Sequence, residues 1–126
     1  MRKIINSNYA PDPVGPYNQA IMFDNTIYLS GQIALDPLTM TMKNDSIESE
    51  TKQVFKNISE VLKEARYDFN HVVKVTIFLS DMNDFQVVNK LYSSYFEKGN
   101  EPARETVEVS ALPKGAKIEI SVIAKK

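Results

Sequence analysis

The stretch 102-PARETVEVSALPKGAKIEI-120 decides the fold, and it contains a single arginine, Arg104. Apolar residues alternate with polar ones in "ARETVEV" (103–109) and "KIEISVIA" (117–124), the period of strands with two unlike faces. "SALPKG" between them reads as a turn; its lysine and glycine lack the spacing that cradles a phosphate. If Ile118, Ile120 and Val122 face the interior, Lys117, Glu119, Ser121 and Ile123 face the other way. If Val107 and Val109 also face inward, Arg104, Thr106 and Glu108 share that other side, and Arg104 and Glu119 look into one space.

Upstream, "HVVKVTIFLS" (71–80) is rich in β-branched residues and predicts a strand. It leads into a helix from about Asp84, with Phe85, Val88, Leu91, Tyr92, Tyr95 and Phe96 as its apolar set and Gly99 as its terminator. In "DSIESETKQVFKNISEVLKEAR" (45–66), Val54, Phe55, Ile58, Val61, Leu62 and Ala65 recur at helical spacing. Asp45 with Glu48 supplies the N-cap signal, and Glu48 and Glu50 are assigned to the solvated face. "NQAIMF" and "TIYLSGQIAL" flank Asp24 and Asn25, so residues 18–35 predict a β-hairpin, with a short strand at Lys3–Asn6 before it. The order ββ(β)αβαββ predicts an α+β fold with both helices on one face of a single sheet. The bare face keeps apolar residues, which predicts cover by self-association in a closed symmetric oligomer.

The length of 126 residues suits one domain with one core, residues 1–126. Fifteen basic and sixteen acidic side chains give a net charge of −1, which argues against a nucleic-acid partner. No segment reaches membrane-span length and the basic N-terminus lacks a signal-type apolar run, so no membrane partner and a cytoplasmic setting are expected. The absence of cysteine removes thiolate nucleophiles and cysteine-ligated metals. The one histidine, His71, has no motif around it and reads as a surface or partly packed residue. "SGQ" at 30–32 is not a nucleophile elbow, Asp81 and Asp84 read as helix caps, and no acidic cluster predicts a metal. Arg104 keeps two readings: a strand arginine paired with Glu119 or Glu108, or a planar fork that binds a small carboxylate.

Six collinear motifs bear on that choice: "GPYNQA" (15–20), "LSGQI" (29–33), "MNDF" (82–85), Val88–Asn89, "PAR" (102–104) and "LPKGAKIEI" (112–120). Together they resemble the YjgF/YER057c/UK114 family, the reactive intermediate (enamine/imine) deaminases. The resemblance implies a chorismate-mutase-like α+β fold, a six-stranded mixed sheet with two helices on one face. Three copies would close their sheets into a trimeric barrel with clefts between subunits. It further implies hydrolysis of 2-imino acids to 2-oxo acids and ammonia, without cofactor or metal. Arg104 falls on the family's carboxylate-binding arginine, Glu119 on its water-orienting glutamate, Tyr17 on its aromatic wall and Gly31 on its substrate-lining glycine. Phe85 and Asn89 match further pocket positions. Thr106 stands where many members have cysteine, which excludes a thiol role there, and Ala111 replaces a frequent basic residue before "LPK". Family members are also described as endoribonucleases, translation inhibitors and protein-binding factors, and a 2-oxo acid sensor would use the same clamp.

Overall fold

Asp24, with φ at 55°, turns the chain tightly between β2 (Ala20–Phe23) and β3 (Thr26–Leu29), as the hairpin pattern predicts. The computed structural model describes all of residues 1–126. β1 (Arg2–Ile5) precedes the hairpin; α1 (Ile47–Glu64), β4 (Val72–Leu79), α2 (Phe85–Ser93), β5 (Ala103–Glu108) and β6 (Ile118–Lys125) follow it. The six strands form one sheet in the order β1-β2-β3-β6-β4-β5. All neighbours are antiparallel except β4 and β5, which α2 connects in parallel.

One side of the sheet meets both helices. Val75, Ile77 and Leu79 of β4 and Ile118, Ile120 and Val122 of β6 share a core with Val54, Phe55, Ile58, Val61 and Leu62 of α1 and Val88 and Tyr92 of α2. Each such fully buried aliphatic side chain contributes about 1.5–3 kcal/mol. The other side has no helix over it, and Ile4, Phe23, Tyr28 and Val107 are exposed there.

Three local expectations need correction. The cap of α1 is Ser46, whose hydroxyl accepts from Ser49 N–H at 3.1 Å while Ser49 Oγ accepts from Ser46 N–H at 3.1 Å. A reciprocal pair at this spacing outcompetes Asp45 with Glu48 because it satisfies two backbone donors together. Glu50 is wholly buried rather than solvated. It lies one turn before Val54 on the buried stripe, where α1 has run past the apolar sheet and meets a loop; its Oε2 accepts from the Lys117 N–H at 2.6 Å. The second helix stops at Ser93, short of Gly99. Ser93 and Ser94 turn their hydroxyls back onto the carbonyls of Lys90 and Leu91, at 2.7 and 2.6 Å, which competes with helix continuation. Tyr95 and Phe96 still pack inward, Tyr95 stacking on Phe55 with centroids 4.0 Å apart.

Asn57 ties α1 to the segment after β3: its buried amide donates to the carbonyls of Ile33 at 3.1 Å and Leu35 at 2.9 Å. Asn57→Ala is expected to leave the buried Leu35 carbonyl unpaired, the Ile33 carbonyl keeping only the Leu35 N–H at 2.8 Å, and to cost about 1–3 kcal/mol, read as a lowered midpoint in urea denaturation.

Candidate functional site

The register of β4 with its two neighbours fixes which side each candidate residue takes. Val75, a core residue, pairs with both Val122 and Arg104, whereas Phe78 pairs with Glu119 and Val107. Arg104 and Thr106 therefore lie on the helix side of the sheet and Glu119 on the uncovered side. The expectation that Arg104 and Glu119 share one space within the chain is wrong. β5 is an edge strand at the rim of the helix cover, so its helix side tolerates polar residues and Val107 faces the uncovered side, 41% exposed.

Around Glu119 the chain makes a small apolar chamber of about 150 Å³, whose lining includes Pro11, Val14, Tyr17, Gln32, Pro113 and Glu119. Gly31 is required there by close approach: a Cβ at that position would stand 2.7 Å from Glu119 Cδ and Oε2. Tyr17 presents a half-exposed ring, and its hydroxyl accepts from the Val14 N–H at 3.3 Å, folding the 14–17 turn against the chamber. Desolvation raises the Glu119 carboxyl above the usual glutamate range. Pro113 heads the turn expected in "LPKGAK", where Lys114 and Gly115 take φ of 57° and 66°.

Arg104 occupies a second, open cavity of about 390 Å³ lined by Asn89, Tyr92, Ser93, Glu101, Pro102 and Arg104. Its Nη1 donates to Asn89 Oδ1 at 2.6 Å. Its guanidinium carbon lies 4.6 Å from the Tyr92 ring centroid and 5.7 Å from that of Phe85. It belongs to none of the ion pairs of the chain. Glu108, one of the two carboxylates expected to neutralise it, accepts instead from the Met82 N–H at 2.7 Å, and the other, Glu119, is across the sheet. An arginine held by an amide oxygen and aromatic faces keeps its full charge for an anionic ligand. Thr106 follows two residues on, its hydroxyl sealed from solvent and without a hydrogen-bond partner.

The structure thus gathers the candidates into two groups: Tyr17, Gly31 and Glu119, and Phe85, Asn89 and Arg104. Tyr92 was read only as a core residue, although its spacing from Phe85 and Asn89 already places all three on one stripe of α2. Pro113 and Gln32, which line the chamber, gave no chemical signal in the sequence. His71 caps a short 3-10 turn, its Nδ1 accepting from the Asp68 N–H at 3.0 Å. No group of three or more His, Cys, Asp or Glu side chains could hold a metal ion, and no helix is long and apolar enough to cross a membrane.

Comparison with known proteins gives consistent matches over almost the whole chain. The family model described as Endoribonuclease L-PSP matches residues 7–126. A protein of Mus musculus named 2-iminobutanoate/2-iminopropanoate deaminase is 48% identical over 98% of this chain and 91% of its own length. The crystal structure of a Rid-family protein from Yersinia pestis superposes with a TM-score of 0.96 at 46% identity, each chain covered in full. The YjgF gene product from E. coli gives 0.91 at 37% identity, over 98% of both chains.

The contact between residues 31 and 119 yields a direct test. Gly31→Ala is expected to fold, since the residue is exposed and its φ is not positive, but to push the Glu119 carboxyl out of its place. Carbon-13 NMR titration of Glu119 is expected to move back toward the ordinary glutamate range as water reaches it. An unchanged titration would show that the close approach does not hold the carboxyl.

Proposed function

Because the chain belongs to the Endoribonuclease L-PSP family, also called YjgF/UK114, we propose that it hydrolyses small 2-imino acids, such as 2-iminobutanoate, to 2-oxo acids and ammonia. The observation that carries the proposal is the Arg104 guanidinium, held by Asn89 and two aromatic rings with no carboxylate within ion-pairing distance, Glu101 lining the same cavity without pairing to it. Arg104 clamps the substrate carboxylate, which sets the adjacent imine carbon at a fixed place. That carbon is already electrophilic, so positioning and electrostatics suffice and no covalent nucleophile is needed.

Glu119 orients a water and takes its proton as the oxygen bonds to the imine carbon. Delivered to the nitrogen, that proton completes the tetrahedral amino alcohol; Glu119 then takes the remaining hydroxyl proton and passes it to the amine, so the C–N bond breaks, ammonia leaves and the water oxygen becomes the carbonyl. A carboxyl raised by desolvation suits both halves of this relay, because it binds the proton firmly enough to take it and later gives it up. Tyr17 and Gly31 wall the reacting centre, and Phe85, Asn89 and Thr106 belong to the Arg104 side of the same cleft.

In this proposal three copies close their uncovered sheet faces into a barrel, and each site combines the Arg104 group of one chain with the Glu119 group of the next. Two facts support it: exposed Ile4, Phe23, Tyr28 and Val107 lie on the bare face, and the two groups lie on opposite sides of the sheet. We place the protein in the cytoplasm, where a cysteine-free chain needs no oxidising setting. RNA is placed outside its ligands, since the net charge is −1 and the lone histidine is engaged in capping a turn, its Nδ1 held by the Asp68 N–H with the Asp68 carboxylate at 3.3 Å.

Ammonia release from freshly generated 2-iminobutanoate tests the activity directly. Arg104→Ala is expected to weaken 2-oxobutanoate binding about 10- to 150-fold, and Arg104→Lys to lose most turnover because an ammonium cannot form the fork. Glu119→Gln is expected to lower kcat about 10²- to 10⁴-fold while 2-oxobutanoate still binds. Activity of the native protein should rise with pH through a limb lying above the ordinary glutamate range, and Glu119→Gln should abolish that limb.

Coexpressing Arg104→Ala with Glu119→Gln tests the shared site. The coexpressed population should regain about a quarter of native activity, because each mixed trimer has one cleft of three that inherits both intact residues. No recovery, or a monomer by light scattering, counts against sites between chains.

A further inference from the structure

We propose that Tyr92 is a positioning residue for Arg104, its ring being the surface against which the guanidinium is oriented for carboxylate binding. The inference rests on the clamp reading of Arg104 and adds a residue to it. Tyr92 is 5% exposed, and its ring lies 4.6 Å from the Arg104 guanidinium carbon, nearer than the Phe85 ring at 5.7 Å. The ring is itself immobilised, with Phe96 at 4.8 Å and Phe55 edge-on at 6.1 Å between centroids. Arg104 therefore leans on the aromatic seam between α1 and α2, where Phe55 also stacks on Tyr95 with centroids 4.0 Å apart.

The contacts of Arg104 are few enough to separate their effects. Asn89 fixes one end of the fork through Nη1, while Nε and Nη2 have no partner within the chain. One hydrogen bond leaves the guanidinium free to swing about it; a ring beneath the plane removes that freedom. A long flexible side chain otherwise loses its rotamer freedom when the ligand binds, and holding it beforehand increases affinity.

The useful part of Tyr92 is its ring. Its hydroxyl is sealed and makes no hydrogen bond, so it supplies neither a donor nor an acceptor to Arg104 or to a ligand. Burial also raises the phenol, so the face beneath Arg104 stays neutral and does not quench the positive charge as a phenolate would.

The test replaces Tyr92 by Phe, by Leu and by phenylalanines carrying one to three ring fluorines, which keep the shape and drain the π face. Two quantities are read: the NMR order parameter of the Arg104 Nε–H group without ligand, and the Kd for 2-oxobutanoate by calorimetry. Tyr92→Phe is expected to match the native protein within about twofold. Tyr92→Leu is expected to loosen the Nε–H group and to weaken binding about five- to tenfold, the fluorinated rings falling between in order of fluorine number.

Unchanged order and Kd across the fluorinated series would overturn the proposal, and that series serves where the leucine variant fails to fold. Normal affinity in Arg104→Ala would refute the clamp instead. The Nε–H order parameter then still decides whether Tyr92 holds the arginine.

Discussion

A six-stranded sheet has two faces, and the two helices of this chain cover only one of them. β6 lies between β3 and β4, and its alternation sends Ile118, Ile120 and Val122 into the core while Glu119 goes to the bare side. The cover fades at β5, the edge strand, whose inner side meets only the flank of α2. A guanidinium could not enter the core without a partner, since burying an unpaired charge is very costly. At the rim it finds an amide oxygen and ring faces while staying open to a solvated cavity.

Placing Arg104 and Glu119 on opposite sides also keeps them from quenching each other. Two unit charges 4 Å apart attract by about 4 kcal/mol at an effective dielectric of 20. A pair formed within one chain would therefore compete with a ligand carboxylate for the arginine and hold the glutamate ionised. Within one chain each therefore keeps the property it needs, and in the proposed cleft between chains the substrate stands between them. Arg104 retains an unneutralised charge, and Glu119 retains a carboxyl raised by desolvation in its apolar chamber.

Periodicity made the hairpin, the four-residue stripes of α1 and the buried alternation of β4 and β6 legible, because burial on one side imposes a regular pattern. It failed where an element extends beyond the shared core. Glu50 continues the buried stripe of α1 but meets a loop N–H rather than apolar sheet, so its charge suggested the wrong side. Val107 follows strand alternation, yet inward for an edge strand is not toward the helices, and assuming otherwise put Arg104 beside Glu119. Motif resemblance selected the residues of both groups without stating their faces; only the register of β4 with β5 and β6 separates them. The role of Gly31 needed coordinates as well, since its demand is for space rather than for an unusual φ.

The raised Glu119 carboxyl has a consequence for stability. It binds its proton more tightly in the folded chain than in the unfolded one, so protonation favours folding and ionisation opposes it. That contribution is fully present below the unfolded value and is lost as pH rises through the raised folded value. Above that raised value the strand carries a carboxylate that would be better solvated in the unfolded chain. It cannot escape by slipping register. A one-residue shift of β6 would turn Glu119 into the core and bring out Ile118 and Ile120, both wholly buried, each contributing about 1.5–3 kcal/mol. The alternation that exposes the reactive group to its chamber is the same one that anchors its strand.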